Sequence, residues 1–287
     1  MNVSPDRRSL DRLETISATA ALVVIAIGAL VLAGWLFDLD VLKSVHPALV
    51  SMKANTAAGF VLSGISLWLA QTKRVDHRPG RYLAWGGAGL VAALGLLTLG
   101  EYALGWNWGI DQLLFHEPSG TVQTVVPGRM APNTAFEFAM IGLALLLLDV
   151  RTRRGYRPAQ YLIALIGIVS SAALVGYLYD ASILYSPSAG ATAMSLPAAL
   201  AGVSVFVGLL FARPGAGLAA LVASENAAGV MARRFLLPVL LLPLVLDFVL
   251  GAGQRAGLYG APVAAAAHAV TMAGAFLAVV LVAAALG

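Results

Sequence analysis

The sequence predicts an all-α, polytopic membrane protein with eight transmembrane helices, arranged as repeated helix hairpins, and with both termini in the cytoplasm. Two features of composition and one of charge placement lead to this fold class. The chain is 60% hydrophobic and only 11% charged, against roughly 25% charged residues in a soluble domain. Apolar runs recur along the chain and short polar segments separate them. The basic residues are confined to some of these polar segments, as in membrane proteins of fixed orientation.

About 20 apolar residues cross a bilayer as a helix, and this length sets the predicted elements. The first apolar run is preceded by Arg7, Arg8 and Arg12. A cleaved signal peptide is the competing interpretation of this run, but the run is longer than the roughly 7–15 apolar residues of such a peptide. We therefore expect a tail at 1–15 and an uncleaved membrane domain at 16–287. The eight helices are predicted at 16–37, 55–71, 82–104, 133–148, 158–179, 194–212, 235–250 and from 263 to the end.

The distribution of lysine and arginine predicts the orientation of these helices. Fourteen of the 18 basic residues lie in the N-terminal tail and in the segments that join helices 2–3, 4–5 and 6–7. Positive charge marks the cytoplasmic side, so the other four cations are expected outside: Lys43, Lys53, Arg129 and Arg255. The last residues, AAALG, carry no such basic flank. We therefore expect a cytoplasmic output domain to follow residue 287.

One loop-to-helix motif occurs at least twice in the sequence. Aligning Met52 with Met130 also aligns Asn55-Thr56 with Asn133-Thr134, and a degraded third copy starts at Met194. Asn and Thr are good N-caps because their side-chain oxygens accept first-turn amide protons. The alternative is a binding site. Two helix N-termini with Lys53 and Arg129 beside them would attract an anion.

Ionisable residues predicted near the outer ends of the helices form a second set of candidate site residues. Glu101, Glu137, Asp247 and His268 fall inside predicted helices, within about two turns of the outer ends, so they are either a polar pocket or simply interfacial. Asp247 would pair with His268, and Glu101 with Arg129. The long connection 105–132 adds Trp106 and Asp111 and is expected to be an ordered cap.

Several kinds of chemistry find little support in the sequence. The absence of cysteine excludes disulfides and thiolate catalysis. His46, His116 and His268 are not at ligand spacing, so we expect no metal and no cofactor. No phosphate-binding loop, HExxH, GxSxG or pair of catalytic carboxylates occurs, so no catalytic residue is assigned. Tryptophan and tyrosine at outer helix ends are typical of an interfacial belt, with an aromatic-ligand surface as the alternative.

The stretch GWNWGIDQLLFHE…VVPGRMAPNTAFEF resembles the multi-helix N-terminal sensor region of bacterial histidine kinases, often hybrid kinases with PAS domains; related regions precede diguanylate cyclases. The matching residues include Gly105, Trp106, Asp111, and the run Pro127-Gly128-Arg129-Met130 with Asn133-Thr134. The segments 212–238 and 253–260 also look similar. Glu137 replaces an apolar residue of the family pattern, and Pro197-Ala198 replaces the polar pair in the third copy.

The resemblance implies a sensory input module of a two-component histidine kinase in the bacterial inner membrane. The parent would be a kinase and a homodimer through its output domain. The partners expected are membrane lipids and a small ligand, such as a quinone, a lipid or an anion, and no nucleic acid. A small-solute or lipid transporter is the main alternative, because internal repeats are common in transporters. The signal-binding residues proposed are Arg129, Asn133, Thr134, Glu101, Trp106, Asp111, Lys53 and Asn55.

Overall fold

The structure, a computed structural model, describes residues 7–71, 78–186, 188, 190–224, 229–230, 245, 248–260, 262–270 and 274. Within these residues the chain is helical and contains no strand. Two compact units are distinguished, residues 11–214 and the described parts of 1–10 with 215–287. The helices are α1 (Arg7–Leu36), α2 (Asp40–Ser44), α3 (Ala54–Leu69), α4 (Arg78–Leu104), α5 (Pro132–Leu146), α6 (Pro158–Tyr179), α7 (Leu196–Phe211) and α8 (Gly217–Ala223).

Six of the predicted helices are found in the first unit, which confirms the all-α class. Five of them begin and end within four residues of the predicted bounds. The first helix begins at Arg7 and not near residue 16, so residues 7–15 of the charged tail form its first turns. The predicted helices at 235–250 and from 263 onward lie mostly outside the described residues. Of the described residues in this part of the chain, 248–255 and 262–270 are helical.

The helices of the first unit alternate between long and short. Three are long and apolar enough to cross a membrane, within Arg8–Leu36, Pro79–Leu104 and Pro158–Tyr179. The helices α3, α5 and α7 have 15 or 16 residues, or about 24 Å at 1.5 Å per residue. That length falls short of a hydrocarbon layer of about 30 Å. At least half of each short helix is buried, against one third of the hydrophobic window of each long helix, so the short helices form the core.

Three copies of one hairpin build this unit, each a long helix followed by a short one. Near the end of each long helix an aromatic side chain donates a hydrogen bond to the carbonyl of the repeated methionine. Trp35 Nε1 binds Met52 O at 2.8 Å, Tyr102 Oη binds Met130 O at 2.9 Å, and Tyr177 Oη binds Met194 O at 2.6 Å. The third copy, which the sequence shows only in degraded form, is therefore a full structural repeat.

Small residues let the two helices of each hairpin approach closely. In the first copy, a side chain at Gly64 would collide with Ile25 on α1, and in the second a side chain at Gly142 would collide with Ala92 on α4. The third copy reverses the pattern, because the position equivalent to Gly64 is Phe206 and the facing residue is Gly167. In each hairpin a glycine thus makes room for the residue that faces it, but in the third hairpin the glycine is on the long helix and not on the short one.

The short helices α3, α5 and α7 meet at both of their ends. Their N-termini surround a cavity of about 10 Å³, the space of roughly one water molecule; we call this the junction end. At the opposite end, Arg213 binds both carboxylate oxygens of Asp149 at 2.6 and 2.7 Å and donates to Ala70 O at 2.7 Å. Arg213 follows α7, Asp149 follows α5 and Ala70 ends α3, so one guanidinium joins the three helix ends.

The second unit is described only in parts. It contains α8, and the helical residues 248–255 are followed by a turn in which Tyr259 Oη donates to Leu250 O at 2.8 Å. His268 is half-buried in the helical residues 262–270. Asp247 lies outside the described residues, so the predicted Asp247–His268 pair is left as a prediction.

Candidate functional site

The junction end carries a charged network, which we define as Lys53, Glu101, Asp111, Glu117 and Arg129. All five side chains are at least nine-tenths buried. They come from the start of α3, the end of α4 and the irregular segment 105–131 that joins α4 to α5. Buried charges are stable only when paired and hydrogen-bonded, so the pairing of these five residues decides how the segment is held.

The first half of the network is centred on Glu117. Lys53 Nζ lies 2.5 Å from Glu117 Oε1 and also donates to Thr124 Oγ1 at 2.7 Å. The second carboxylate oxygen, Oε2, accepts the amide proton of Gly128 at 2.6 Å. Burial lowers the pKa of Lys53, while the charge of Glu117 opposes that shift. Through these hydrogen bonds, the Lys53–Glu117 pair connects the segment 105–131, at Thr124 and Gly128, to the start of α3.

The glycine of the Pro127-Gly128-Arg129 turn has a conformational reason to be there. Gly128 has a φ of 76°, a region that favours glycine, and a side chain at this position would collide with the carbonyl of Asp111. The turn brings the Gly128 amide to Glu117 and directs the next side chain, Arg129, to the other half of the network. The family-like motif therefore has a local structural role before any role in binding.

Arg129 is the centre of the second half. Its Nε lies 2.8 Å from Asp111 Oδ2 and 3.4 Å from Glu101 Oε2. The guanidinium also donates to Trp106 O at 3.4 Å and lies 5.4 Å from the centre of the Tyr102 ring. Glu101 Oε1 accepts the amide proton of Trp108 at 2.8 Å. The predicted Glu101–Arg129 pair is thus confirmed, and Asp111 joins it.

The predicted N-caps of α3 and α5 are wrong in position. The N-caps are Lys53 and Ala131, and neither contributes a side-chain hydrogen bond. Asn55 and Asn133 lie one residue inside the helix, where Oδ1 accepts the amide proton of Thr56 at 2.7 Å and of Thr134 at 3.1 Å. Only Ser195, in the third copy, is an N-cap whose side chain accepts a first-turn amide, that of Ala198. In α5, Pro132 explains the shift, because proline suits the first helical position, whereas α3 has Ala54 there.

The repeated Asn-Thr pair is close to the network but does not join it. Thr56 and Thr134 line the small cavity at the junction end together with Lys53 and Ser195. Asn133 Nδ2 donates to Tyr185 O at 3.4 Å, while Asn55 Nδ2 has no hydrogen-bond partner among the described residues. Lys53 and Arg129 are already paired with carboxylates, so the geometry gives less support to an anion site there than the sequence did.

Glu137 lies apart from the network, in the core between α5, α6 and α7. It is fully buried and its carboxyl contacts Ser170 Oγ on α6. Gly202 on α7 faces the same carboxyl, where a side chain would collide with both Glu137 and Ser170. Ser170 Oγ also bonds the carbonyl of Ile166 at 2.8 Å. A hydroxyl has one proton to donate, so Ser170 Oγ gives it either to Glu137 Oε1 or to the carbonyl of Ile166 at any one time.

The segment 105–131 also presents an exposed aromatic pair. Trp106 and Trp108 pack edge to face, with ring centres 5.2 Å apart, and about half of each side chain is exposed. Trp106 contributes its backbone oxygen to Arg129, so the indole itself is available for contact with lipid or ligand. Within the described residues, no group of three His, Asp or Glu side chains is placed to hold a metal ion.

Sequence reasoning missed Glu117, Thr124 and Ser170. Glu117 was visible only as one charge in a long loop, and its partner Lys53 is 64 residues away. No periodic pattern in the sequence links these two residues. The chain matches no family model, no curated protein and no solved structure. The geometry of this site is therefore the basis for a functional assignment.

Proposed function

We propose that the chain is a membrane-embedded sensory input module of a bacterial signal-transduction protein, a two-component histidine kinase in our preferred interpretation. In this proposal the junction end faces outward, both termini are cytoplasmic, and the protein crosses the inner membrane many times. The observation that carries it is the charged network, which connects a 27-residue irregular segment to the ends of buried core helices.

The arrangement supports a relay from one end of the first unit to the other. The network contacts the starts of α3 and α5, and Arg213 joins the opposite ends of α3, α5 and α7. A signal that changes the network would act on helices that are rigid and tightly packed. Such helices would respond by a small shift of each helix as a whole. Such a relay requires that the stimulus favour one of two packings.

The transporter alternative receives less support from the core. The cavity at the junction end holds about one water molecule, and Phe60 packs on Phe138 between α3 and α5 with ring centres 4.8 Å apart. A substrate site near the middle of the bundle would need polar groups there. Among the described core residues of α5, Glu137 is the one ionisable group at that depth, and it is occupied by Ser170.

The proposal is tested in two steps. An in-frame PAS, histidine kinase or cyclase sequence after the codon for Gly287 would support it. Arg129→Ala in the complete gene product should then change basal autophosphorylation and reduce the response to stimulus, while Lys43→Ala, a second outer cation paired with exposed carboxylates, should not. Normal signalling by Arg129→Ala at normal expression, or solute uptake into liposomes by the purified chain, would contradict it.

A further inference from the structure

Two buried carboxyl groups share one cation at the junction end. Arg129 Nε contacts both Asp111 and Glu101, at 2.8 and 3.4 Å. Lys53 is matched by Glu117 in the neighbouring half of the network. The five described side chains of the network therefore hold two positive and three negative charges when all are ionised. The excess negative charge belongs to the Glu101–Asp111 pair.

One carboxylate oxygen of each residue of this pair has no hydrogen-bond partner in the described part of the chain, although Glu101 Oε2 forms the 3.4 Å ion pair with Arg129 Nε. Glu101 Oε2 and Asp111 Oδ1 are buried and have no hydrogen-bond partner there. Glu101 is fully buried and the Asp111 side chain is 6% exposed. An uncompensated charge in such a place is strongly unfavourable. Two neighbouring carboxylates relieve this cost when one of them takes up a proton and donates it to the other.

We propose that the carboxyl groups of Glu101 and Asp111 form a binding site for a single proton, taken from and returned to the solvent, which neutralises the network and holds the segment 105–131 against α4. With the proton bound, one carboxyl donates to the other and Arg129 balances the remaining charge. Without it, two carboxylates repel each other beside one guanidinium. The other groups that face Asp111 within the described residues are Tyr102 of α4 and the backbone of Trp106.

The acidity of Asp111 agrees with this site. Burial raises the pKa of Asp111 from 3.8 to about 6, with Arg129 lowering it and Glu101 raising it further. A carboxyl whose folded-state pKa is raised stabilises the folded segment below its ordinary pKa, and this contribution is lost as the pH rises through the folded-state pKa. The segment 105–131 should therefore be held most firmly in acid and loosen as the pH passes about 6.

Loss of the shared proton would act directly on the segment 105–131, because Glu101 and its partner Arg129 are hydrogen-bonded to the backbone of that segment. Glu101 accepts the amide proton of Trp108, and Arg129 donates to the carbonyl of Trp106. Repulsion between Glu101 and Asp111 would strain both contacts at the point where the loop leaves α4. Proton binding at this pair does not depend on a sensory role of the protein.

The natural absence of cysteine allows a specific test. Leu113, which is 77% exposed on the same loop, is replaced by cysteine in the full chain in lipid nanodiscs and labelled with an environment-sensitive fluorophore. Titration from about pH 4 to about pH 8 should give a one-proton transition with a midpoint near 6. Asp111→Asn and Glu101→Gln, which imitate the protonated state, should abolish the transition and keep the acid-form spectrum at all pH values.

Asp38→Asn is the matched control, since Asp38 is an exposed carboxylate that pairs with Lys43 in another loop; it should leave the midpoint unchanged. Circular dichroism of each variant checks that the helices are intact. A difference titration of the unlabelled chain against Asp111→Asn should count one proton fewer in the variant near pH 6. The proposal is overturned by no transition in the parent chain, by an unchanged midpoint in both variants, or by equal proton counts.

Discussion

At the scale of single residues, the molecule places five ionisable side chains in a buried position and satisfies most of them with one another. Lys53 and Glu117 are 2% and 1% exposed, yet they are 2.5 Å apart and share further hydrogen bonds with Thr124 and Gly128. Such pairs contribute less to stability than their distance suggests, because both ions lose their hydration. Their removal one at a time is the costly event, and this gives the first prediction.

Glu117→Gln should destabilise the chain by about 3–5 kcal/mol, since Lys53 would remain buried without a counter-charge. The measurement is the free energy of unfolding in mixed detergent micelles. Asp38→Asn is the control, because it removes an ion pair of Lys43 in which the aspartate side chain is 93% exposed, and exposed pairs contribute little. Equal losses in the two variants would contradict the assigned importance of the buried pair.

The residue scale is also where the sequence was least informative. Glu101 and Arg129 could be paired in advance because helix ends and orientation placed them at one depth. Glu117 and Ser170 could not, since their partners Lys53 and Glu137 are distant in the chain and no periodic pattern links them. Asn55 and Asn133 were predicted two positions from the true N-caps, although Pro132 marked the first helical position.

At the scale of elements, the hairpin of one long and one short helix is the repeated unit. The bounds of α3 to α7 followed from apolar run length and basic flanks, because both depend only on local sequence, whereas α1 begins at Arg7 and not near residue 16. The third hairpin was obscured because its large and small contact residues are exchanged, Phe206 facing Gly167 where the other copies have glycine on the short helix. Close packing depends on both residues of the facing pair, while the sequence shows only single positions.

This exchange can be tested by moving it to another hairpin. Gly142→Phe should destabilise the chain by at least about 1–3 kcal/mol, as for overpacking of a core, because the new ring would meet Ala92 and the α4 backbone. Adding Ala92→Gly, which copies the third hairpin, should recover part of that loss. A double-mutant cycle of unfolding free energies measures the coupling. Strictly additive effects would contradict the equivalence of the hairpins.

At the scale of the whole molecule, the core of the first unit is a group of three short helices. The charged network connects the starts of α3 and α5, the N-termini of all three helices surround the junction cavity, and Arg213 joins their opposite ends. Arg213 also holds the pKa of Asp149 below its ordinary value through their hydrogen bond. The sequence suggested neither connection, since each joins elements that are far apart in the chain. The predicted orientation, with 105–131 outside and 151–157 inside, follows from charge placement and awaits measurement.

Cysteine labelling in intact cells measures that orientation, and the cysteine-free chain provides a clean background. A cysteine at the exposed Leu113 should react with a membrane-impermeant maleimide added to the outside. A cysteine at Arg153, in the basic segment after α5, should react only after the membrane is disrupted, because basic loops stay in the cytoplasm. The reverse pattern, or equal labelling of both, would contradict the orientation.

The central claim is that a change in the charged network reaches the opposite end of the short helices. Hydrogen exchange of the chain in nanodiscs measures this directly, comparing the parent with Arg129→Ala and with the control Lys43→Ala. Arg129→Ala should speed amide exchange in the segment 105–131 and also around Asp149 and Arg213, whereas Lys43→Ala should change neither region. Faster exchange confined to 105–131, with Asp149 and Arg213 unaffected, would contradict the relay.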